Sequence, residues 1–72
     1  MSKIKKDVGN RLKQSRRDAG YTQAGVAEML HMTQQQYSRF ENGLFELNYE
    51  QIVFLCKLYD ISADYLFDLQ IF

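Results

Sequence analysis

The apolar positions recur at helical rather than strand spacing throughout the chain. Ile4, Val8, Leu12 and Ala19 fall on one stripe, which predicts a helix from about Ile4 to Ala19, with Gly20 as its end. Thr22 reads as an N-cap for a second helix of about eight residues carrying Val26, Ala27 and Leu30. After a tight connection through His31 and Met32, Thr33 and Gln36 have the spacing of a capping box that opens a third helix. Tyr37 and Phe40 give this helix its inward face, and Asn42-Gly43 ends it. Beyond a loop at Leu44 to Leu47, Asn48 and Gln51 form a second capping box. Ile52, Leu55, Cys56 and Tyr59 mark the inner face of the helix that follows. Asp60 breaks it, Ser62 caps again, and a last short helix carries Leu66, Phe67 and Leu69. The expectation is an all-α fold: a compact orthogonal bundle of five helices with connections of two to five residues, without internal repeats.

Composition narrows this picture only slightly. Seventy-two residues make one domain near the lower size limit for folding without staples, and the absence of proline suits helices joined by short turns. Cys56 is the one cysteine, so packing alone must hold the fold, and its place in the run Val53-Phe54-Leu55-Cys56 marks it as a buried small hydrophobe. The charged start, Met1 to Lys6, is not a secretory signal, and no run is apolar enough for a membrane span; a soluble cytoplasmic protein is expected. His31 has no second histidine and no cysteine at ligand spacing, so no metal is expected, and no cofactor or small-molecule ligand is evident. The carboxylates are scattered over amphipathic helices, and no nucleophile comes with a plausible base, so no enzymatic activity is expected.

Charge changes the picture more. The net charge is zero, yet residues 1–17 hold seven basic groups (Lys3, Lys5, Lys6, Arg11, Lys13, Arg16, Arg17) against Asp7, while the rest holds Arg39 and Lys57 against eight acids. The local field of a basic face, rather than the net charge, is what a phosphate backbone feels. A basic first helix is equally what an ordinary solvated helix looks like.

The stretch from Gln23 to Gly43 is the informative one. Two short helices crossing steeply need a small residue at the crossing (Ala27), apolar ties to the core (Val26, Leu30, Met32, Tyr37, Phe40), and an outward polar start on the second helix (Gln34, Gln35, Gln36). All three occur together. The string Gln23-x-x-Val26-Ala27-x-x-Leu30-x-Met32-Thr33-x-x-x-Tyr37-Ser38-Arg39-Phe40-Glu41-Asn42-Gly43 resembles the helix-turn-helix of the phage repressor/Cro family, also called the Xre family. The resemblance runs from Arg11 to Ile61-Ser62-Ala63-Asp64-Tyr65-Leu66, and Arg39-Phe40-Glu41-Asn42-Gly43 is its most distinctive part.

The resemblance implies a lambda-repressor-like domain over residues 1–72, with the motif at about 22–43, acting as a sequence-specific transcriptional regulator on double-stranded DNA. Gln34 and Gln35 take the family's base-reading positions, where a glutamine amide matches adenine N6 and N7, and Gln36 and Arg39 complete the base-reading set. Thr22, Gln23, Thr33, Ser38, Asn42 and Arg11 are implied as phosphate contacts that fix register, with Gln23 also bracing the recognition helix. Arg16 and Glu41 are implied as a structural bridge between the first and third helices. Three departures stand out. His31 occupies the turn position where the family usually has glycine and must go left-handed, Gly25 lies inside the first motif helix, and Leu44-Phe45-Glu46 replaces a loop that is often basic.

The apolar C-terminus (Leu66, Phe67, Leu69, Ile71, Phe72) exceeds what one short helix can bury, which suggests a two-fold dimer contact and hence a near-palindromic operator. Two specialised roles fit the same class: the antitoxin of a toxin pair and the controller of a restriction-modification operon. The acidic C-terminal half and non-basic loop leave a rival open, a helix-turn-helix scaffold that binds a protein partner instead of DNA.

Overall fold

The computed structural model describes residues 2–69, which form five helices. They are α1 (Ser2–Ala19), α2 (Gln23–Met29), α3 (Gln34–Glu41), α4 (Tyr49–Tyr59) and α5 (Ala63–Phe67). There is no strand among the described residues.

Without proline to stop them, the helices end by backbone geometry. Each is followed by a residue with positive φ: Gly20, His31, Gly43, Asp60 and Asp68. In each case two N–H groups fold back on the last turn, as with His31 to the Glu28 carbonyl (3.1 Å) and Met32 to the Ala27 carbonyl (3.0 Å). This pairing satisfies carbonyls that a helix end would otherwise leave orphaned. His31 does take the left-handed conformation, at φ +58°. The helix starts are as local as the ends. Thr22, Thr33, Asn48 and Ser62 cap α2 to α5 through their side chains, and Thr33/Gln36 and Asn48/Gln51 close reciprocal capping boxes.

α3 lies between α1 and α2, while α4 and α5 pack on the remaining side of α1 and on each other. The core is Val8, Leu12, Val26, Ala27, Tyr37, Phe40, Leu55, Tyr59 and Leu66. Tyr37 is fully buried and its hydroxyl meets that of Tyr59 at 2.7 Å, so the two phenols satisfy each other inside the bundle. Burial pushes the Tyr37 phenol far above its usual range and that of Tyr59 up to about 12.

Three expectations are corrected. Ile4 is 62% exposed and Ala19 is also exposed, because the buried face of α1 runs through Val8, Gly9, Leu12, Ser15 and Arg16. The connection between α3 and α4 is seven residues long, from Asn42 to Asn48, rather than five at most. Of the C-terminal apolar residues, Leu66 is fully buried, Phe67 packs against the core, and Leu69 lies exposed beyond the end of α5; Ile71 and Phe72 fall outside the described residues.

Gly9 lets α1 press against the end of α3. A Cβ there would lie 2.5 Å from the Glu41 carbonyl oxygen and 2.6 Å from that of Phe40. Gly43 makes the matching approach from α3, where a Cβ would lie 2.7 Å from the Lys6 Cα. Gly9→Ala is therefore expected to lower stability by about 1–3 kcal/mol through overpacking against backbone, a loss that outweighs the ~1 kcal/mol helix-propensity gain of alanine over glycine. Urea unfolding checks this, and an unchanged or raised midpoint would show that the two helices do not need this approach.

Candidate nucleic-acid interface

The site is organised from the inside outward. Arg16, on the buried face of α1, donates from Nε to Glu41 Oε2 at 2.7 Å and from Nη2 to Glu41 Oε1 at 3.2 Å. Its Nη1 donates to the Tyr21 carbonyl at 2.9 Å, so one guanidinium fixes the end of α3 and the turn into α2 together. The Glu41 side chain is fully buried and that of Arg16 is 10% exposed. Burial works against the Glu41 carboxylate, but the hydrogen bonds from Arg16, Tyr37 and Gln23 outweigh it and hold the carboxyl below its ordinary value. The same carboxylate raises the Arg16 pKa.

Gln23, the first residue of α2, extends this pair to the surface. Its Nε2 donates to Glu41 Oε1 at 2.9 Å, which turns its Oε1 outward to accept from Gln34 Nε2 at 3.3 Å. A continuous chain of contacts thus runs from buried Arg16 through Glu41 and Gln23 to Gln34, the first residue of α3. Gln34, Gln35 and Gln36 are all exposed on that first turn. Gln36 spends its Oε1 on the Thr33 N–H (2.8 Å) as part of the capping box, whereas among the described residues the Gln35 side chain makes no hydrogen bond.

The remaining residues divide into those that share this face and one that does not. Thr22 and Thr33 are exposed, with their hydroxyl oxygens accepting from the Gly25 and Gln36 N–H groups. Ser38 donates back to the Gln35 carbonyl at 2.9 Å, and Asn42 is exposed at the C-cap of α3. Arg39 is exposed, with its guanidinium 5.4 Å from the centroid of the Phe45 ring, so the apolar loop holds by cation–π contact the basic group that α3 presents. Arg11 makes its contacts at α5. It reaches the Leu66 carbonyl at 3.4 Å and Asp68 at 3.7 Å, a tie to α5 rather than part of the glutamine face.

The basic first helix is thus partly neutralised internally, since Lys3 pairs with Asp7, Arg11 with Asp68 and Arg16 with Glu41. Among the described residues Lys5, Lys6, Lys13 and Arg17 have no such acid partner, and Lys6, Lys13 and Arg17 share one flank of α1 by their helical spacing. The sequence reading missed the hydrogen bond from Gln23 to Glu41, the role of Gly9 and the Arg39–Phe45 contact.

Residues 9–70 match the model of the family described as "Helix-turn-helix domain". The chain belongs to that family. The motif of this helix-turn-helix domain is α2, the His31 turn and α3, and it is of the Xre type. The domain is 37% identical over 59 residues to the "HTH-type transcriptional regulator ImmR" of Bacillus subtilis (strain 168), covering 82% of this chain and 46% of that protein. It is 34% identical over 58 residues to the "SPbeta prophage-derived uncharacterized HTH-type transcriptional regulator YonR" of the same organism, covering 81% of this chain and 54% of that protein. The chain spans about half the length of these curated relatives.

Glu41→Gln would leave a buried guanidinium without its counter-charge and loosen the hold on Gln23, at an expected cost of about 3–5 kcal/mol. The pH dependence has a definite sign. Because the folded carboxyl titrates below its ordinary value of 4.5, its stabilising contribution is complete above that pH and is lost as pH falls through the lower folded value. Chemical denaturation from pH 7 down to pH 3 should show an acid loss in the parent protein that is smaller in the glutamine variant. Equal acid slopes would mean that other carboxylates carry the effect.

Proposed function

We propose that this domain is a sequence-specific DNA-binding transcriptional regulator. In this reading it acts in the cytoplasm as a homodimer, and α3 enters the major groove of a near-palindromic operator. The observation that carries the reading is the pre-set orientation of Gln34. With one Nε2 hydrogen directed at Gln23, its other Nε2 hydrogen and its Oε1 remain for a base edge, a donor and acceptor side by side that matches adenine N7 and N6. Gln35, its side chain unengaged beside it, is the second reader; Arg39 and the remaining Nε2 donor of Gln36 flank them.

Thr22, Gln23, Thr33, Ser38 and Asn42 border this face with short polar groups suited to phosphate oxygens, which fix register without reading sequence. Arg11, whose guanidinium also reaches the Leu66 carbonyl and Asp68, would contact phosphate from the α5 side. Lys6, packed against Gly43, and Arg17, in the last turn of α1 ahead of Thr22, supply the positive field. The two relatives are both named transcriptional regulators, which supports the same role here. Within this class, an antitoxin and a restriction-modification controller are the specialised alternatives. No helix among the described residues is long and apolar enough to cross a membrane.

A second reading, a helix-turn-helix scaffold for a protein partner, is favoured by one observation: Leu44 and Phe45 are exposed in the loop that follows α3.

Selection of bound duplexes from a random pool, followed by affinity against salt, separates the two. The expected result is a two-fold symmetric site whose affinity falls steeply as salt rises. Gln34→Ala and Gln35→Ala should each cost roughly 5- to 150-fold on that site, the equivalent of about 1–3 kcal/mol per base contact, with little change on random DNA. No enriched sequence and no binding at low salt would overturn the DNA reading in favour of the protein partner.

A further inference from the structure

α4 is amphipathic in the usual sense on its inner side, where Leu55 and Tyr59 are buried. Its outer side is not the polar surface that a solvated helix needs. Tyr49 is 87% exposed and Val53 53%, with Phe54 exposed beside them, and the stripe is bounded by Glu50 at one end and Lys57 at the other. Glu50, Val53, Phe54 and Lys57 have i, i+3, i+4, i+7 spacing, which puts all four on one face. An acid in the first turn and a base in the last turn complement the helix dipole, and this alone accounts for the order of the charges. It gives no reason for an apolar pair exposed between them.

The positions are self-complementary. If two copies of α4 lie antiparallel about a two-fold axis passing midway between Val53 and Phe54, then Val53 of each copy meets Phe54 of the other. In the same register, Glu50 of each copy falls opposite Lys57 of the other. An isologous interface has this property: whatever residue i touches, its symmetry mate touches in return. An apolar centre flanked by two opposite-charge pairs follows from one helix face without any further partner.

We infer that the outer face of α4 is the homodimer contact of this domain, closed by reciprocal Glu50–Lys57 pairs around Val53 and Phe54. The inference rests on the two-fold reading of function given above and places the contact on α4; of the C-terminal apolar residues, Leu66 and Phe67 are used by the core and Leu69 is exposed. Tyr49 lies at the margin of the patch, toward the α3–α4 connection. So small a patch belongs to a weak, concentration-dependent dimer rather than an obligate one.

The test is a charge swap read by sedimentation equilibrium of the whole chain without DNA. The parent protein is expected to dimerise reversibly in the micromolar range. Glu50→Lys sets Lys57 against a second lysine twice over, and Lys57→Glu does the same with acids. Each is expected to weaken dimerisation by about tenfold or more. The double swap Glu50→Lys/Lys57→Glu restores both pairs and should recover most of that loss, while Val53→Glu, which brings two carboxylates together near the axis, should give a monomer. Thermal melts confirm that every variant is folded at the temperature used. A parent that stays monomeric at several hundred micromolar overturns the inference, and so does a dimer indifferent to Val53→Glu or a double swap no better than the single changes. Binding to a duplex carrying one half-site, which needs a single copy, is measured alongside. Its presence with no α4 dimer would overturn the surface alone, and its absence from a protein that dimerises as described would overturn the DNA reading alone.

Discussion

The buried Arg16–Glu41 pair is the constraint on which the rest of this small domain turns. Two charges removed from water are costly, and the attraction between them repays that cost only when the remaining donors and acceptors are also used. Here they are: Arg16 spends a third donor on the Tyr21 carbonyl, and Glu41 takes a further proton donor from Gln23. A well-packed apolar pair in the same place could give equal stability. It could not fix the register of α1 against α3, nor reach through Gln23 to the surface. The pair therefore contributes geometry more than free energy, and the geometry it sets is that of the residue that opens α3.

The surroundings of the pair follow from it. To bring Arg16 onto Glu41, α1 must cross the end of α3 at backbone contact, and Gly9 and Gly43 are the two places where the chain gives up a side chain to allow this. The same crossing brings Lys6 beside the C-terminal turn of α3, at the start of a connection that carries Leu44, Phe45 and Glu46 and no basic residue. Phe45, in that connection, holds the basic group of Arg39 by cation–π attraction.

Much of the fold was legible because its signals are local. Thr22, Thr33 with Gln36, Asn48 with Gln51, and Ser62 lie within three residues of the groups they cap, so reading them requires no knowledge of the tertiary structure. The face of α1 was misjudged because its buried side includes Gly9, Ser15 and Arg16, which a search for apolar periodicity passes over; Ile4 and Ala19 were given places that these residues hold. In the candidate site, the identities of the glutamines were readable but their connections were not. That Gln23 touches both Glu41 and Gln34 depends on three helices converging, and that Arg11 turns to α5 depends on where Asp68 falls. A basic residue announces its charge in the sequence and its direction only in the fold.

The left-handed residues that close every helix carry a consequence for how the chain reaches this structure. Since α2 to α5 hold their own starts and all five helices their own stops, the helices are largely specified before any of them meet, and their connections are short enough that neighbours find one another with little loop entropy to overcome. Chains dominated by such near-neighbour contacts cross their folding barrier in microseconds to milliseconds. The longest closure in this topology is that of α5 onto α1, across 55 positions between Arg11 and Leu66, whereas the Arg16–Glu41 contact that aims the surface glutamines closes over only 25.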